Sequence, residues 1–363
     1  MISLPHEIIF EEILPLVPAK SLVRFKCVCK LWCATISDPH FVRAHLNRLK
    51  SQPFSTSGNL TRSSINKGDY SFLDPQTDEK FDLCLKKCLG EENSSLSLKA
   101  SCDGLLLVHA ERIIEHRFYV CNPITRQFLK LPIPPSQWFG ASGLAYDAKS
   151  QHYKVVGWFG SDDNEGCKCM VFTIIPNMMN HNNESSFGSS LKSSWRELSV
   201  PRGCRLQRFG CPASVRGALY WVALNHDYNE HCIISMDITR EVFMEIKFPR
   251  YEPISRVFNL IGLEGSLYLA QSSFVRNTYN LGSTFLWVLE DDLDKDQVWT
   301  KLCYFEYDGG GGGDHGSKIH KFVSNYDTKL LQDIWLMVIK KDRETYLSSY
   351  FDTHLNSLVT WDA

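Results

Sequence analysis

The sequence predicts a multi-domain chain: a small all-α segment at the N-terminus, then a large all-β domain of β-propeller type. Three observations carry this. The first ~50 residues place apolar side chains at helical spacing. A polar stretch, SQPFSTSGNLTRSSINK, then reads as a linker or surface loop. Beyond it, short β-rich runs alternate with turn residues, and no long amphipathic helix is evident.

The helical part divides by its prolines and apolar spacing. Leu4-Pro5 places a proline at a helix start, where its missing N–H costs nothing. Ile9, Ile13 and Leu16 fall on one face, and Pro15 and Pro18 end that helix early. A second run spaces Leu22, Phe25 and Val28/Cys29 about one turn apart. A third carries Leu31, Trp32 and Ile36, and Asp38-Pro39 stops it. Phe41 and Leu46 suggest one more short helix.

The β part reads as GLLLV (104–108), FYVCNPITRQFLKLP (118–132), HYKVVGWF (152–159), MVFTII (170–175), ALYWVAL (218–224), IISMDITREVFMEIKFP (233–249), SLYLAQ (266–271), FLWVLE (285–290) and IWLMVIK (334–340). Many short strands with regular turn signals argue for a sandwich, barrel or propeller. A weak repeat favours the propeller. Gly104, Gly217 and Gly265 each open an apolar strand, separated by about two steps and then one step of roughly 50 residues, the period of kelch-like blades. Hairpins with Asn or Asp near the turn follow in CNPITRQF, MDITREVF and FDTHLNSL. The alternative is an irregular β-sandwich.

Composition narrows the function classes. The 363 residues carry a net charge of −2, so no global electrostatic case exists for binding nucleic acid or an anionic membrane. No stretch approaches the roughly 20 apolar residues of a membrane span. The N-terminal residues lack a basic leader and carry Glu7, Glu11 and Glu12, so no signal peptide is expected. A cytoplasmic or nuclear location follows as an expectation, with thiols kept reduced. Thirteen cysteines fit buried free thiols better than a disulfide framework.

No motif points to catalysis, a metal or a cofactor. Cys27/Cys29 and Cys167/Cys169 are CxC pairs without further ligands nearby, whereas zinc signatures use CxxC. Cys27 and Cys29 read instead as small apolar residues on the second helix, one facing the core and one a partner. Gly311, Gly313 and Gly316 satisfy GxGxxG, but no strand–turn–helix surrounds them, and Gly316-Ser317-Lys318 reverses the P-loop order. HEIIF lacks the second histidine of HExxH because position 10 is Phe10. The basic set Lys20, Arg24, Lys26 and Lys30, with Phe25 the single aromatic among them, reads as a solvated face rather than a nucleic-acid patch.

Residues 3–46 resemble an F-box. The motif runs in order through Leu4-Pro5, Glu12-Ile13-Leu14, Pro18 to Phe25, Cys27 to Trp32 and Ile36 to Phe41, with the plant-type CVCKLW at its centre. Pro15 departs from the family pattern, which has a helix-compatible polar residue there. The remainder resembles the F-box-associated domain of plant proteins, through SCDGLLLV, YVCNPITRQFLKLP and GLAYDAKSQHYKVV.

The resemblance implies a division into an F-box (1–48), a linker (49–66) and a β-rich substrate-recognition domain (67–363). It implies a non-enzymatic subunit of an SCF-type E3 ubiquitin ligase. The F-box would bind a Skp-type adaptor and through it a cullin, and the β domain would recruit a target protein. An alternative is a scaffold that binds the adaptor without directing turnover. The residues carried over as adaptor-facing or supporting are Leu4, Pro5, Ile8, Ile13, Leu14, Pro18, Leu22, Val28, Cys29 and Trp32. So small a helical domain cannot bury all its apolar side chains on itself, so leftover surface needs a partner. The polar connections 160–168, 177–194 and 307–318 are the candidate target-binding loops.

Overall fold

The computed structural model describes Pro5 and residues 7–51, 58–62, 70–74, 79–92, 94–111, 116–134, 138–159, 168–175, 195–200, 204–206, 212–225, 230–249, 257–263, 265–274, 281–290, 298–308, 319–324 and 353–354. An N-terminal helical module precedes a large all-β domain.

The module begins with Ile8–Ile13, a segment with π-type backbone bonding, which tightens into a 3-10 turn, Leu14–Leu16. Pro15 sits at the start of that turn and Val17 is already extended. Pro18 is extended too and leads into α1 (Ala19–Phe25). α2 is Lys30–Ser37 and α3 is Pro39–Ser51. The Asp38 carboxylate accepts the backbone N–H of His40 at 2.8 Å and of Phe41 at 3.4 Å, which caps α3 with Pro39 in its first turn. α3 therefore has 13 residues rather than the short helix expected.

Cys27 and Cys29 lie beyond the second helix, not on it. The N–H groups of Cys27 and Val28 donate to the carbonyls of Arg24 and Phe25 in a closing turn, and Cys29 is extended. The chain reverses here because Trp32 must pack edge-on against Phe25 and Phe10, with ring centroids 5.6 and 6.3 Å away. Both cysteines are exposed, so neither faces the core.

The β domain forms five antiparallel sheets among the described residues. The first joins β1 (Gly58–Arg62), β2 (Tyr70–Asp74) and β3 (Glu79–Leu83). A short helix α4 (Leu85–Leu89) follows. The second sheet is β4 (Ser95–Cys102), β5 (Leu105–Glu111), β6 (His116–Asn122) and β7 (Gln127–Lys130). The third is β8 (Trp138–Asp147), β9 (His152–Phe159), β10 (Lys168–Ile174) and β11 (Arg196–Leu198). In the fourth, β12 (Cys204–Leu206) and β13 (Ala213–Val215) both pair with β14 (Ala218–Asn225), followed by β15 (Glu230–Asp237) and β16 (Val242–Lys247). The fifth is β17 (Val257–Leu263), β18 (Ser266–Phe274), β19 (Leu281–Glu290), β20 (Val298–Asp308) and β21 (Ile319–Ser324). The late strand β22 (Thr353–His354) returns to pair with β1 and completes the first sheet.

Successive sheets meet through their first strands: β22 near β4, β4 near β8, β8 near β13, and β13 near β17. This sequential packing of separate meanders is propeller-like, and it excludes the two-sheet sandwich. IWLMVIK and most of FDTHLNSL lie outside the described residues. Within 49–66, α3 extends to Ser51 and β1 is Gly58–Arg62.

The repeat has a conformational cause. Asp103-Gly104 and Arg216-Gly217 form two-residue turns with positive φ at both positions, and Gly265 has φ 73° in the equivalent turn between Leu263 and Ser266. Glycine occupies this turn position at no steric cost. The four-residue turns repeat as well. Asn122, Asp147 and Asp237 each accept two backbone N–H groups two and three residues on. Arg126, Gln151 and Glu241 close these turns with φ of 57°, 57° and 58°. YDAKSQHY is thus a further copy of this hairpin turn.

Candidate functional site

The helical module carries an unusual share of exposed apolar surface. Ile8, Ile13, Leu16, Val28 and Leu31 are 39–61 % exposed, and they make up half of the exposed large apolar side chains among the described residues. Leu14, Ala19, Leu22, Ile36, Phe41, Val42 and Leu46 of the module are buried, with Phe10, Phe25 and Trp32 partly buried against them. What is left over sits on the first helical segment, its 3-10 turn, the α1–α2 turn and the start of α2.

The expected site residues divide by depth. Pro5, Ile8, Ile13, Val28 and Cys29 are exposed. Pro18 and Trp32 are half-buried. Leu14 and Leu22 are buried and can act only by holding the scaffold. Leu4 lies outside the described residues. Sequence reasoning did not single out Leu16 and Leu31 as site residues, having read Leu16 onto one face of the first helix with Ile9 and Ile13 and Leu31 into the third apolar run. Acidic Glu7, Glu11 and Glu12 and basic Arg24 and Lys30 are exposed as well.

His45 braces this module from inside. It is buried, and its Nε2 donates to the Val17 carbonyl at 3.0 Å, tying α3 to the segment between the two prolines. Burial lowers its pKa, the Val17 bond opposes that, and Arg48 adds to the lowering.

α3 also contacts the β domain. The Arg43 guanidinium donates to the Tyr146 hydroxyl and lies 5.0 Å from the centre of that ring. Lys50 pairs with Asp103 at 2.6 Å, and the Tyr153 hydroxyl donates to the same carboxylate at 3.2 Å. Asp103 belongs to the β4–β5 turn, and Tyr146 and Tyr153 flank the β8–β9 turn. The module therefore docks on the turn end of the second and third sheets. Its buried apolar residues join those two sheets in one cluster with Leu105, Leu107, Phe118 and Leu144.

Polar groups inside the β domain serve packing between its parts. Glu91 is buried and accepts the Tyr119 hydroxyl at 2.6 Å and the Ser94 hydroxyl, with Arg117 3.6 Å away. Burial first, and Glu91 second, push the Tyr119 phenol up to about 12. Lys154 bridges the third and fourth sheets, with Asp147 and Glu241 each at 2.9 Å and the Ile238 carbonyl at 2.8 Å. Burial alone would raise the Asp147 carboxyl, but Lys154, Thr239, Ser150 and the Lys149 N–H outweigh it and hold it below the carboxylate range. Each of these groups has a structural partner. Among the described residues no set of three or more His, Cys, Asp or Glu is placed to hold a metal, and no helix is long and apolar enough to cross a membrane.

These features define a class: a short helical module packed against a propeller-like domain. Comparison with known proteins supplies the family. The F-box domain family matches residues 1–44, and the family described as F-box associated beta propeller domain matches residues 66–311. A protein of Arabidopsis thaliana described as an F-box protein, At1g47790, is 30 % identical over 287 residues, covering 77 % of this chain and 67 % of its own. F-box protein At1g30790 of the same plant is 29 % identical over 316 residues, covering 80 % of this chain and 72 % of its own. A third, described as an F-box/kelch-repeat protein, is 26 % identical over 277 residues, covering 68 % of this chain and 59 % of its own. The chain belongs to the F-box proteins that carry an F-box-associated β-propeller domain.

Proposed function

We propose that this chain is the substrate-recognition subunit of a cullin-based SCF-type E3 ubiquitin ligase. The helical module, taken as residues 1–48, binds a Skp-type adaptor. The β domain, taken from residue 67 onward, recruits a target protein for ubiquitination and proteasomal degradation. The ubiquitin-transfer chemistry belongs to the partners. The exposed set Ile8, Ile13, Leu16, Val28 and Leu31 is the observation that carries this reading. A partner's helices can bury these side chains as anchors, in the manner of helix-face recognition. Pro5 and Cys29 border the set. Leu14, Pro18, Leu22 and Trp32 hold it in shape.

The test is co-purification of the full chain with a recombinant plant Skp-type adaptor, wild type beside an Ile13→Asp, Val28→Asp double variant. Wild type forms a stable complex, and the variant binds at least tenfold more weakly while its near-ultraviolet circular dichroism is unchanged. A folded wild-type chain that forms no complex would overturn the reading. Protein half-lives measured with and without the chain then separate a ligase subunit from a scaffold: a ligase subunit shortens the half-life of at least one protein.

A further inference from the structure

The contact between α3 and the turn end of the β domain is the feature the docking function does not itself require. An F-box joined to its partner domain only by a polar segment could swing freely. Here the two share a buried cluster, and apolar burial is non-directional. Direction comes from two polar pairs on one helix, Arg43 to Tyr146 and Lys50 to Asp103. These lie seven positions apart along α3, two turns, so both sit on the same side of the helix. Asp103 is itself held: its side chain is only 6 % exposed, its backbone adopts φ 54° in a two-residue turn, and Tyr153 donates to it from a neighbouring sheet. Tyr153 and Tyr146 pack against each other, ring centroids 5.0 Å apart and planes inclined at 53°, so the two acceptors of α3 are in direct contact through these rings.

We propose that Arg43 and Lys50 are positioning residues that fix the orientation of the β domain relative to the adaptor-docking face. A target held by the β domain would then be presented at a set distance from the ligase machinery. The polar stretch that follows α3 does not set that geometry. This rests on the ligase reading for its purpose, but not for its geometry.

The test uses the full chain with donor and acceptor dyes at Glu12 and Lys149, both exposed, attached through genetically encoded azides. Single-molecule energy transfer is compared for wild type and an Arg43→Ala, Lys50→Ala variant, and for wild type in 1 M salt, which screens the Lys50–Asp103 pair. Wild type gives one narrow distribution. The variant broadens it at least twofold, salt broadens it partly, and adaptor affinity changes by less than twofold. Asp103→Asn, which keeps an acceptor for Tyr153 and tolerates positive φ, broadens it like Lys50→Ala and adds nothing further to that variant. An unchanged narrow distribution in the folded double variant would overturn the proposal. So would broadening accompanied by loss of near-ultraviolet signal in both the double variant and Asp103→Asn. A wild-type chain that binds no adaptor yet shows the expected broadening would overturn the ligase reading and leave the positioning role standing.

Discussion

The helical module and the β domain solve the same burial problem in opposite ways. In the β domain, β5 buries Leu105, Leu106, Leu107 and Val108 completely, because each sheet face meets a neighbouring sheet. In the module, the described residues up to Leu31 leave five large apolar side chains in water. A few short helices lack the volume to enclose them. The difference teaches that the module, far the smaller part, keeps as many large apolar side chains exposed among the described residues as the whole β domain does, which is the surface the proposed adaptor would cover. The two are nevertheless continuous, since one cluster runs through both.

Removing volume from the shared cluster gives the largest effect. Phe118 is fully buried and packs edge-on against Phe159 and Trp195. Phe118→Ala should cost about 3–5 kcal/mol in urea unfolding. If the comparison holds, adaptor affinity of the remaining folded protein stays within twofold of wild type.

Overfilling comes next. A Cβ at Gly262 would stand 2.6 Å from the Ser214 carbonyl, where β17 approaches β13. Backbone cannot yield as a side-chain tip can, so Gly262→Ala should destabilise by about 1–3 kcal/mol, read as a lower melting temperature. An unchanged melting temperature would mean that these two sheets are not closely packed.

Acid sharpens the comparison because each part buries a histidine. Burial first, then Lys99 and His116, push His109 down to about 2. The unfolded chain takes up a proton near pH 6.5 and the folded chain does not, so stability is full above pH 6.5 and falls as pH falls below it. At pH 5 the loss from His109 is about 2 kcal/mol. The lowered His45 acts with the same sign in the module. His109→Gln should flatten the pH dependence of urea midpoints between pH 7 and 5; a slope equal to wild type would assign it elsewhere.

The smallest stability effect belongs to the exposed face. Val28→Ala should change stability by less than about 0.5 kcal/mol while weakening adaptor binding. A large stability loss would make Val28 part of the core and blur the contrast between the two parts.

Much of this molecule could be read from residue order, and the reasons are local. Glycine at 104, 217 and 265 marks tight turns because those positions need positive φ, which favours glycine whatever surrounds it. HYKVVGWF coincides with β9 because a strand buried on both faces needs a continuous apolar run. Asp38-Pro39 caps and opens α3 through a side chain acting two and three residues away. Membership of the F-box proteins was legible for the same reason: its motif lies in one continuous segment. By contrast, the placement of Cys27 and Cys29 in a turn depends on where Trp32 packs. The depth of Leu14 and Leu22 against the exposure of Ile13 and Val28 depends on which helix faces meet. The pairing of Arg43 with Tyr146 and Lys50 with Asp103 joins residues far apart in the chain, and no spacing rule announces it. The sequence by itself determined the glycine-marked turns, several of the strands and the family. Only the tertiary structure decided which apolar residues stay in water and how the module sits on the β domain, because burial and orientation depend on long-range packing.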